Sequence, residues 1–247
     1  MRLGWHWSLI ALAFFVIISS SSILLSRAMA SRGVFILFEG IDRCGKTTQA
    51  NMLTKYLGGL VKTPNQGNNV EFIRFPDRTS TIGQMINSYL VSATNMNDNT
   101  IHLLFSANRW EASQDIEKKL NSGCNLVCDR YAYSGVAFSS AKGLDLDWCK
   151  ACDIGLPAPD CVIYLDMPVE EAAGRGQYGE ERYEKVDFQL KVREKFMQLK
   201  NADEGVLPWY TLDARRSIDE LHEEIKMIAH KAVEENQTKA LSKLWMK

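Results

Sequence analysis

One eight-residue stretch limits what this chain can fold into more than any other. Gly40-Ile-Asp-Arg-Cys-Gly-Lys-Thr47 matches GxxxxGK[ST] at every fixed position, and it follows Val34–Phe38, a continuous apolar run typical of a strand buried on both faces. Glycines let backbone N–H groups curl around phosphates, and a helix that begins at the end of the loop adds positive potential. The stretch therefore predicts a phosphate-binding loop between a buried strand and a helix.

The loop predicts binding of a nucleoside triphosphate and Mg²⁺. Lys46 can reach the β- and γ-phosphates as a point charge, and the Thr47 hydroxyl can ligate Mg²⁺. GTPases, motor-type ATPases and small-molecule kinases share this motif, but no Asn-Lys-x-Asp guanine motif occurs in the chain. The candidate ATP-binding residues are Gly40, Ile41, Asp42, Arg43, Cys44, Gly45, Lys46, Thr47 and Thr48.

Apolar runs and helical patterns alternate along the rest of the chain. The predicted further strands are Val70–Phe75, Asn125–Cys128, Cys161–Leu165 and Trp209–Leu212, and the predicted helices are Thr47–Leu57, Asn99–Leu120 and one opened by a capping box at Ser217–Glu220. Strands that alternate with helices predict parallel pairing and a layered αβα domain. Such sheets bind ligands at the carboxyl ends of their strands.

Charged residues fall where three of the predicted strands end. Arg43, inside the loop, can place a guanidinium beside a transferring phosphoryl group. Asp129 can hold Mg²⁺ through water, while Arg130 and Arg78 can grip a second phosphate. The convergence of these residues at one edge of the sheet predicts an acceptor that carries its own phosphate.

Two other segments have both a functional and an ordinary interpretation. Phe105 and Arg109 lie four apart on a predicted helix, so they can stack on a base and bind its edge, or serve as a core aromatic and a solvated cation. Gly174–Glu184 is glycine-rich and charged, as in a lid that closes over ATP or in an ordinary exposed loop.

Composition narrows the classes of partner. Lys and Arg number 29 against 30 Asp and Glu, for a formal net charge of −1, which argues against a broad nucleic-acid surface. Apolar residues make up 46%, enough for a packed core. The six cysteines have no His at ligand-like spacing, so we interpret them as reduced thiols.

The first thirty residues differ from the rest. Leu3–Ser26 carries no formal charge, and it fits a secretory signal, a membrane anchor or an organelle transit peptide in different respects. ATP chemistry and reduced thiols favour the cytosol, nucleus or an organelle matrix. We therefore expect residues 1–30 to be a targeting or anchor segment and residues 31–247 the catalytic domain. The expected long form is mitochondrial, or alternatively membrane-anchored, and a form starting at Met29 would be cytoplasmic and nuclear.

Taken together, the motifs closely resemble those of thymidylate kinases of the eukaryotic type. The resemblance runs from about Gly33 to the C-terminus. The stretches that carry it are Phe38–Gln49, Arg74–Arg78, His102–Glu111, Asp129–Phe138, Gly155–Asp160 and Glu181–Glu184. The apolar N-terminus departs from the core family pattern, and the loop Val61–Asn69 is longer than usual.

The resemblance implies a fold and a reaction. The fold would be that of the P-loop nucleoside monophosphate kinases, an α/β fold with a five-stranded parallel sheet flanked by helices and a short lid. The reaction would be transfer of the γ-phosphate of ATP to dTMP, giving dTDP for dTTP synthesis, with Mg²⁺ as cofactor. The family also implies a homodimer. No nucleic acid would bind, and only the N-terminal segment would contact a membrane.

The resemblance also implies roles for individual residues. Lys46, Arg43, Asp42 and Arg130 would be catalytic, Thr47 and Asp129 would hold the metal, and Arg175 would lie against adenine. Asp42 would meet the deoxyribose 3′-hydroxyl, Phe105 would stack on thymine, Arg109 would bind its edge, Tyr183 would disfavour a 2′-hydroxyl, and Gln189 would lie near the base. The implied dTMP-binding residues are Asp42, Phe75, Arg78, Phe105, Arg109, Arg130, Ser134, Gly135, Phe138, Tyr183 and Gln189.

Overall fold

Five strands form one parallel sheet in the computed structural model, which describes residues 31–60, 70–175 and 179–246. The strands are β1 (Phe35–Glu39), β2 (Val70–Arg74), β3 (Asn125–Asp129), β4 (Cys161–Asp166) and β5 (Trp209–Asp213). They pair in the order β2-β3-β1-β4-β5. The predicted five-stranded parallel sheet is confirmed, with strand ends that differ from the predicted ones by one residue.

Helices connect successive strands and cover the sheet. They are α1 (Lys46–Gly59), α2 (Thr81–Leu90), α3 (Asp98–Asn121), α4 (Ala132–Ala141), α5 (Leu146–Ala151), α6 (Val169–Ala173), α7 (Val186–Ala202) and α8 (Ile218–Asn236). The sequence predicted α1, α3 and α8. Residues 1–30 and the long loop Val61–Asn69 lie outside the described residues.

β1 is the central strand, and its composition explains the layering. Its side chains alternate between two cores: Ile36 and Phe38 pack on the side of α1 and α8, whereas Phe35 and Leu37 pack on the side of α3, α4 and α7. Because both faces of the sheet are covered, the strand has no polar face, and a continuous apolar run results.

α8 begins as its sequence predicts. The Ser217 hydroxyl accepts from the Glu220 backbone N–H at 3.3 Å, and the Glu220 carboxylate accepts from the Ser217 N–H at 3.2 Å, which completes the capping box. Within this helix Leu221, Ile225, Ile228 and Ala232 are buried, whereas Ile218 in the first turn is 56% exposed.

The pairing register of the sheet places the carboxyl ends of β1, β2 and β3 at the same level. Phe38 in β1 pairs with Asp129 in β3, and Asp129 pairs with Arg74 in β2. The segments that follow these strands therefore open along one edge. Among the described residues, no helix is long and apolar enough to cross a membrane.

Candidate active site

The phosphate-binding loop occupies the end of the central strand. Gly40 and Gly45 have φ of 145° and 98°, in the region that favours glycine, and a Cβ on Gly40 would lie 2.6 Å from the Leu165 carbonyl oxygen. The buried Lys46 ammonium donates to the Ile41 carbonyl and lies 3.5 Å from the Cys44 sulfur. The loop thus holds a cation against backbone at the N-terminus of α1.

A threonine and an aspartate form a candidate cation site beside this loop. The Thr47 hydroxyl lies 2.5 Å from one Asp129 carboxylate oxygen, Oδ2, and the Arg74 Nε lies 3.6 Å from the same atom. The other oxygen, Oδ1, is buried and has no hydrogen-bond partner among the described residues. An orphaned carboxylate oxygen next to a hydroxyl fits Mg²⁺, which takes oxygen ligands and is usually completed by substrate phosphates and water. No cluster of three metal-ligating His, Cys, Asp or Glu side chains occurs in the described part of the chain, so a cage built wholly from protein is excluded there.

Asp42 links the loop to the acceptor side. Its carboxylate accepts from the Arg130 guanidinium at 2.5 Å and from the Gln189 amide at 2.6 Å. The Gln189 carbonyl in turn accepts from the Asp42 backbone N–H at 3.1 Å. Gln189 is buried and does not line the cleft, and its side chain supports Asp42.

Arg130 is fixed from several sides. Its guanidinium donates to the Gly40 carbonyl at 3.0 Å and to the Ser134 hydroxyl at 2.9 Å, and it lies 5.2 Å from the centroid of the Phe138 ring. Burial lowers the pKa of Arg130, but the Asp42 carboxylate and other nearby acidic groups raise it by more than burial lowers it. The net shift is therefore upward. The guanidinium stays charged and aimed at the junction between the loop and α4.

A buried ion pair forms the floor of the expected base pocket. Arg109 is 2% exposed, and its guanidinium donates to the Asp153 carboxylate at 3.1 and 2.6 Å. A Cβ on Gly135 would lie 2.7 Å from this guanidinium, so only glycine leaves room for it. Arg109 is therefore not a solvated surface cation, and it lines the cleft together with Phe105.

The lid reaches arginines on both sides of the cleft. Arg43 donates to the Glu184 carboxylate at 2.8 Å, and Arg78 donates to Glu181 at 2.8 Å. Glu184 also accepts the backbone N–H groups of Gly179 and Glu180 at 2.9 and 3.0 Å. Residues 179–184 therefore lie over the cleft.

Tyr183 and Arg175 also belong to the predicted lid, Gly174–Glu184, and line the cleft. Tyr183 stacks on Phe188 with ring centroids 5.3 Å apart and lies 5.5 Å from the Phe138 ring. Arg175 donates to the Ala214 carbonyl at 2.8 Å, and its guanidinium passes close to Gly45 in the phosphate loop. At this position the Arg175 guanidinium is suited to lie against one face of the base of a nucleotide whose phosphates are bound by the loop.

One cleft of about 530 Å³ brings most of the sequence-predicted residues together. Those that line it are Asp42, Arg43, Gly45, Lys46, Thr47, Thr48, Phe75, Arg78, Phe105, Arg109, Asp129, Arg130, Ser134, Gly135, Phe138, Arg175 and Tyr183. Four other predicted site residues do not line the cleft: Gly40, Ile41, Cys44 and Gln189. Sequence reasoning missed Arg74, Glu181 and Glu184 as lining residues and Asp153 as the partner of Arg109. The stretch Arg74–Arg78 offered a signal for Arg74, whereas Asp153 carries none, since it is 44 residues from Arg109.

A phosphate loop that faces a second set of arginines across a lidded cleft is the arrangement of a P-loop nucleoside monophosphate kinase. The chain belongs to the thymidylate kinase family, whose model, described as "Thymidylate kinase", matches residues 38–225. It is 49% identical over 218 residues to a thymidylate kinase from Dictyostelium discoideum, which covers 88% of this chain and 94% of that protein. It is 43% identical over 217 residues to one from Homo sapiens, covering 87% of this chain and 99% of that protein. The solved structure of thymidylate kinase from Candida albicans superposes with a TM-score of 0.75 at 34% identity, covering 87% of this chain and 99% of that one.

Proposed function

We propose that this chain transfers the γ-phosphate of ATP to dTMP, giving dTDP for dTTP synthesis, in the cleft described above. Membership of the thymidylate kinase family supports this activity. The observation that carries it is the facing arrangement within one cleft: Lys46 in the phosphate loop, and Arg78 and Arg130 beside the buried Arg109 pocket.

The geometry suits phosphoryl transfer by positioning. A phosphate monoester is already a nucleophile at neutral pH, so the acceptor needs no strong general base. Lys46 binds the donor phosphates, Arg130 and Arg78 orient the acceptor phosphate, and Arg43 neutralises charge between them. The hydrogen bond that Arg43 donates to the Glu184 carboxylate raises the pKa of Arg43, so this guanidinium remains cationic throughout.

Thr47 and Asp129 are the residues that would hold Mg²⁺. A metal held there would supply positive charge that neutralises the charge developing on the phosphates of ATP. The buried, unpartnered Asp129 oxygen supports this assignment.

A substrate panel tests the proposed reaction. The purified chain is incubated with ATP and Mg²⁺ and with dTMP, dUMP, UMP, CMP or dGMP, and nucleoside diphosphate is measured. We expect product from dTMP, with weaker use of dUMP, and loss of turnover when EDTA removes the divalent cation. Product from UMP or CMP in preference to dTMP would instead indicate a ribonucleotide kinase, and binding without product would indicate a nucleotide-dependent switch or scaffold.

We also propose a homodimer. On α3, Leu103 and Trp110 lie seven residues apart on one helix face and are 50% and 42% exposed, so they offer apolar surface to a second copy of the chain. Light scattering after gel filtration should give twice the chain mass of 28.0 kDa. A mass of one chain at micromolar concentration would contradict the dimer.

For the long form we propose targeting to the mitochondrion through residues 1–30, with membrane anchoring as the alternative, and for a form starting at Met29 a cytoplasmic and nuclear location. The support is the charge-free apolar stretch Leu3–Ser26 that precedes the catalytic domain. A fluorescent reporter fused behind residues 1–32 should leave the cytosol. A reporter that stays diffuse there would count against targeting.

A further inference from the structure

Glu39 is a fully buried acid that the proposed mechanism does not use. It is the last residue of β1, it directly precedes the phosphate loop, and it is 0% exposed without lining the cleft. A buried carboxylate is unfavourable unless its oxygens are hydrogen-bonded. The groups that bond it therefore indicate its role.

All of the carboxylate's hydrogen bonds come from the beginning of α4. One oxygen, Oε1, accepts from the backbone N–H groups of Tyr131 and Ser134, both at 3.0 Å. The other, Oε2, accepts from the Ser134 hydroxyl at 2.6 Å. The N-cap residue of α4, Tyr131, makes no side-chain capping bond of its own. Glu39 thus caps α4 from a different strand and places a negative charge at its positive end.

The same bonds continue to the acceptor arginine. The Ser134 hydroxyl, which donates to Glu39, accepts from the Arg130 guanidinium at 2.9 Å, and Arg130 also donates to Asp42 at 2.5 Å. Burial raises the pKa of Glu39 by more than the nearby Arg130 guanidinium lowers it, so the net shift is upward. Glu39, Ser134, Arg130 and Asp42 therefore form one continuous chain of hydrogen bonds from the strand beneath the loop to the loop itself.

We propose that Glu39 is a positioning residue that fixes Arg130 and the first turn of α4 for the acceptor phosphate. The first turns of α4 carry Ser134, Gly135 and Phe138, all of which line the acceptor side of the cleft. Lys46 and Thr47 do not hydrogen-bond Glu39 in the described structure. Loss of the carboxylate should therefore weaken use of the acceptor more than use of ATP.

The test is the Glu39→Gln variant, assayed by steady-state kinetics with each substrate varied in turn. The amide keeps the volume but points donors at the Ser134 hydroxyl and removes the charge beneath Arg130. We expect KM for dTMP to rise about tenfold or more, from the loss of a charged buried hydrogen bond, while KM for ATP changes less than about twofold. Glu39→Asp, which keeps the charge on a shorter side chain, should recover part of the loss.

A matched control separates positioning from general destabilisation. Asp160 is another largely buried acid at a strand end. It is paired with Arg32 at 2.6 Å and bonded to the Phe35 N–H at the amino edge of β1, away from the cleft. Asp160→Asn should lower thermal stability without changing the ratio of the two KM values.

A second variant keeps the proposal testable if Glu39→Gln does not fold. Ser134→Ala interrupts the same chain at its next member while leaving the Glu39 bonds to backbone N–H groups. It should give the same dTMP-selective rise in KM, and adding Glu39→Gln to it should cause little further change. Equal effects on both KM values, additive effects of the two variants, or no effect in either would overturn the proposal.

The inference depends on the proposed dTMP kinase activity, and the two can fail separately. If the unaltered chain does not turn over dTMP, the proposed function fails and this inference fails with it. If the unaltered chain is an active dTMP kinase and Glu39→Gln shows no selectivity between the substrates, only the inference fails.

Discussion

Lys46→Ala should lower kcat by on the order of 10³-fold and leave the fold intact. Lys46 is 5% exposed, and its ammonium lies inside the phosphate loop, so it meets the charge of the transferring group where water is largely excluded. Removing a single preorganised donor from such a site typically costs about 10² to 10³-fold in rate, and a full positive charge is lost here as well. The measurement is kcat at saturating ATP and dTMP.

A lysine elsewhere on the same helix supplies the control. Lys55 lies on α1 but is exposed, so Lys55→Ala should leave kcat nearly unchanged. Circular dichroism and thermal melts should show that both variants are folded. If Lys46→Ala turned over at a near-normal rate, the assignment of this loop to phosphoryl transfer would be wrong.

Asp153→Asn should be the most destabilising of the substitutions considered, at about 3–5 kcal/mol. It leaves the Arg109 guanidinium buried without its counter-charge, because the two side chains are 2% and 0% exposed and bonded at 2.6 Å. A loss of that size is a large share of the stability of a typical domain. Urea unfolding measures it, and KM for dTMP should rise too, because Arg109 lines the base pocket.

Two further variants separate stability from recognition. Asp213→Asn breaks an exposed ion pair with Arg215 and should change stability far less. Replacing the buried pair together, as Arg109→Met with Asp153→Leu, should recover much of the stability while use of dTMP stays impaired. If Asp153→Asn unfolded at the same urea concentration as the unaltered chain, the pair would not be the structural support that its geometry indicates.

The parts of the fold that follow from local pattern could be predicted. β1 is recognisable because a strand covered on both faces carries a nearly continuous apolar run, and α8 is recognisable from the Ser217 capping box. α2, α4, α5, α6 and α7 were not predicted. α4 is buried on nearly every side, so it shows no amphipathic stripe, and its cap comes from Glu39, which is distant in sequence.

The residues of the site likewise fall into those that local sequence predicts and those that depend on contacts distant in sequence. Lys46 could be singled out from the phosphate-loop motif, and Asp129 and Arg130 could be singled out because a parallel sheet collects strand ends at one edge. Asp153 and Glu184 could not, since their roles arise from contacts with Arg109 and Arg43 at long range. Gln189, which the resemblance places near the base, bonds Asp42 through its side chain, a contact that its position in the sequence does not reveal.

The pairing of cleft arginines with carboxylates bears on the kind of inhibitor this site would accept. Arg43 and Arg78 are held by Glu184 and Glu181 of the lid. A compound with a phosphate-like group must therefore separate or share existing ion pairs before it gains new ones, which reduces its net gain in affinity. A compound without a phosphate-like group would leave both pairs intact and would gain its affinity from the aromatic side chains that line the cleft, such as Phe105 and Tyr183.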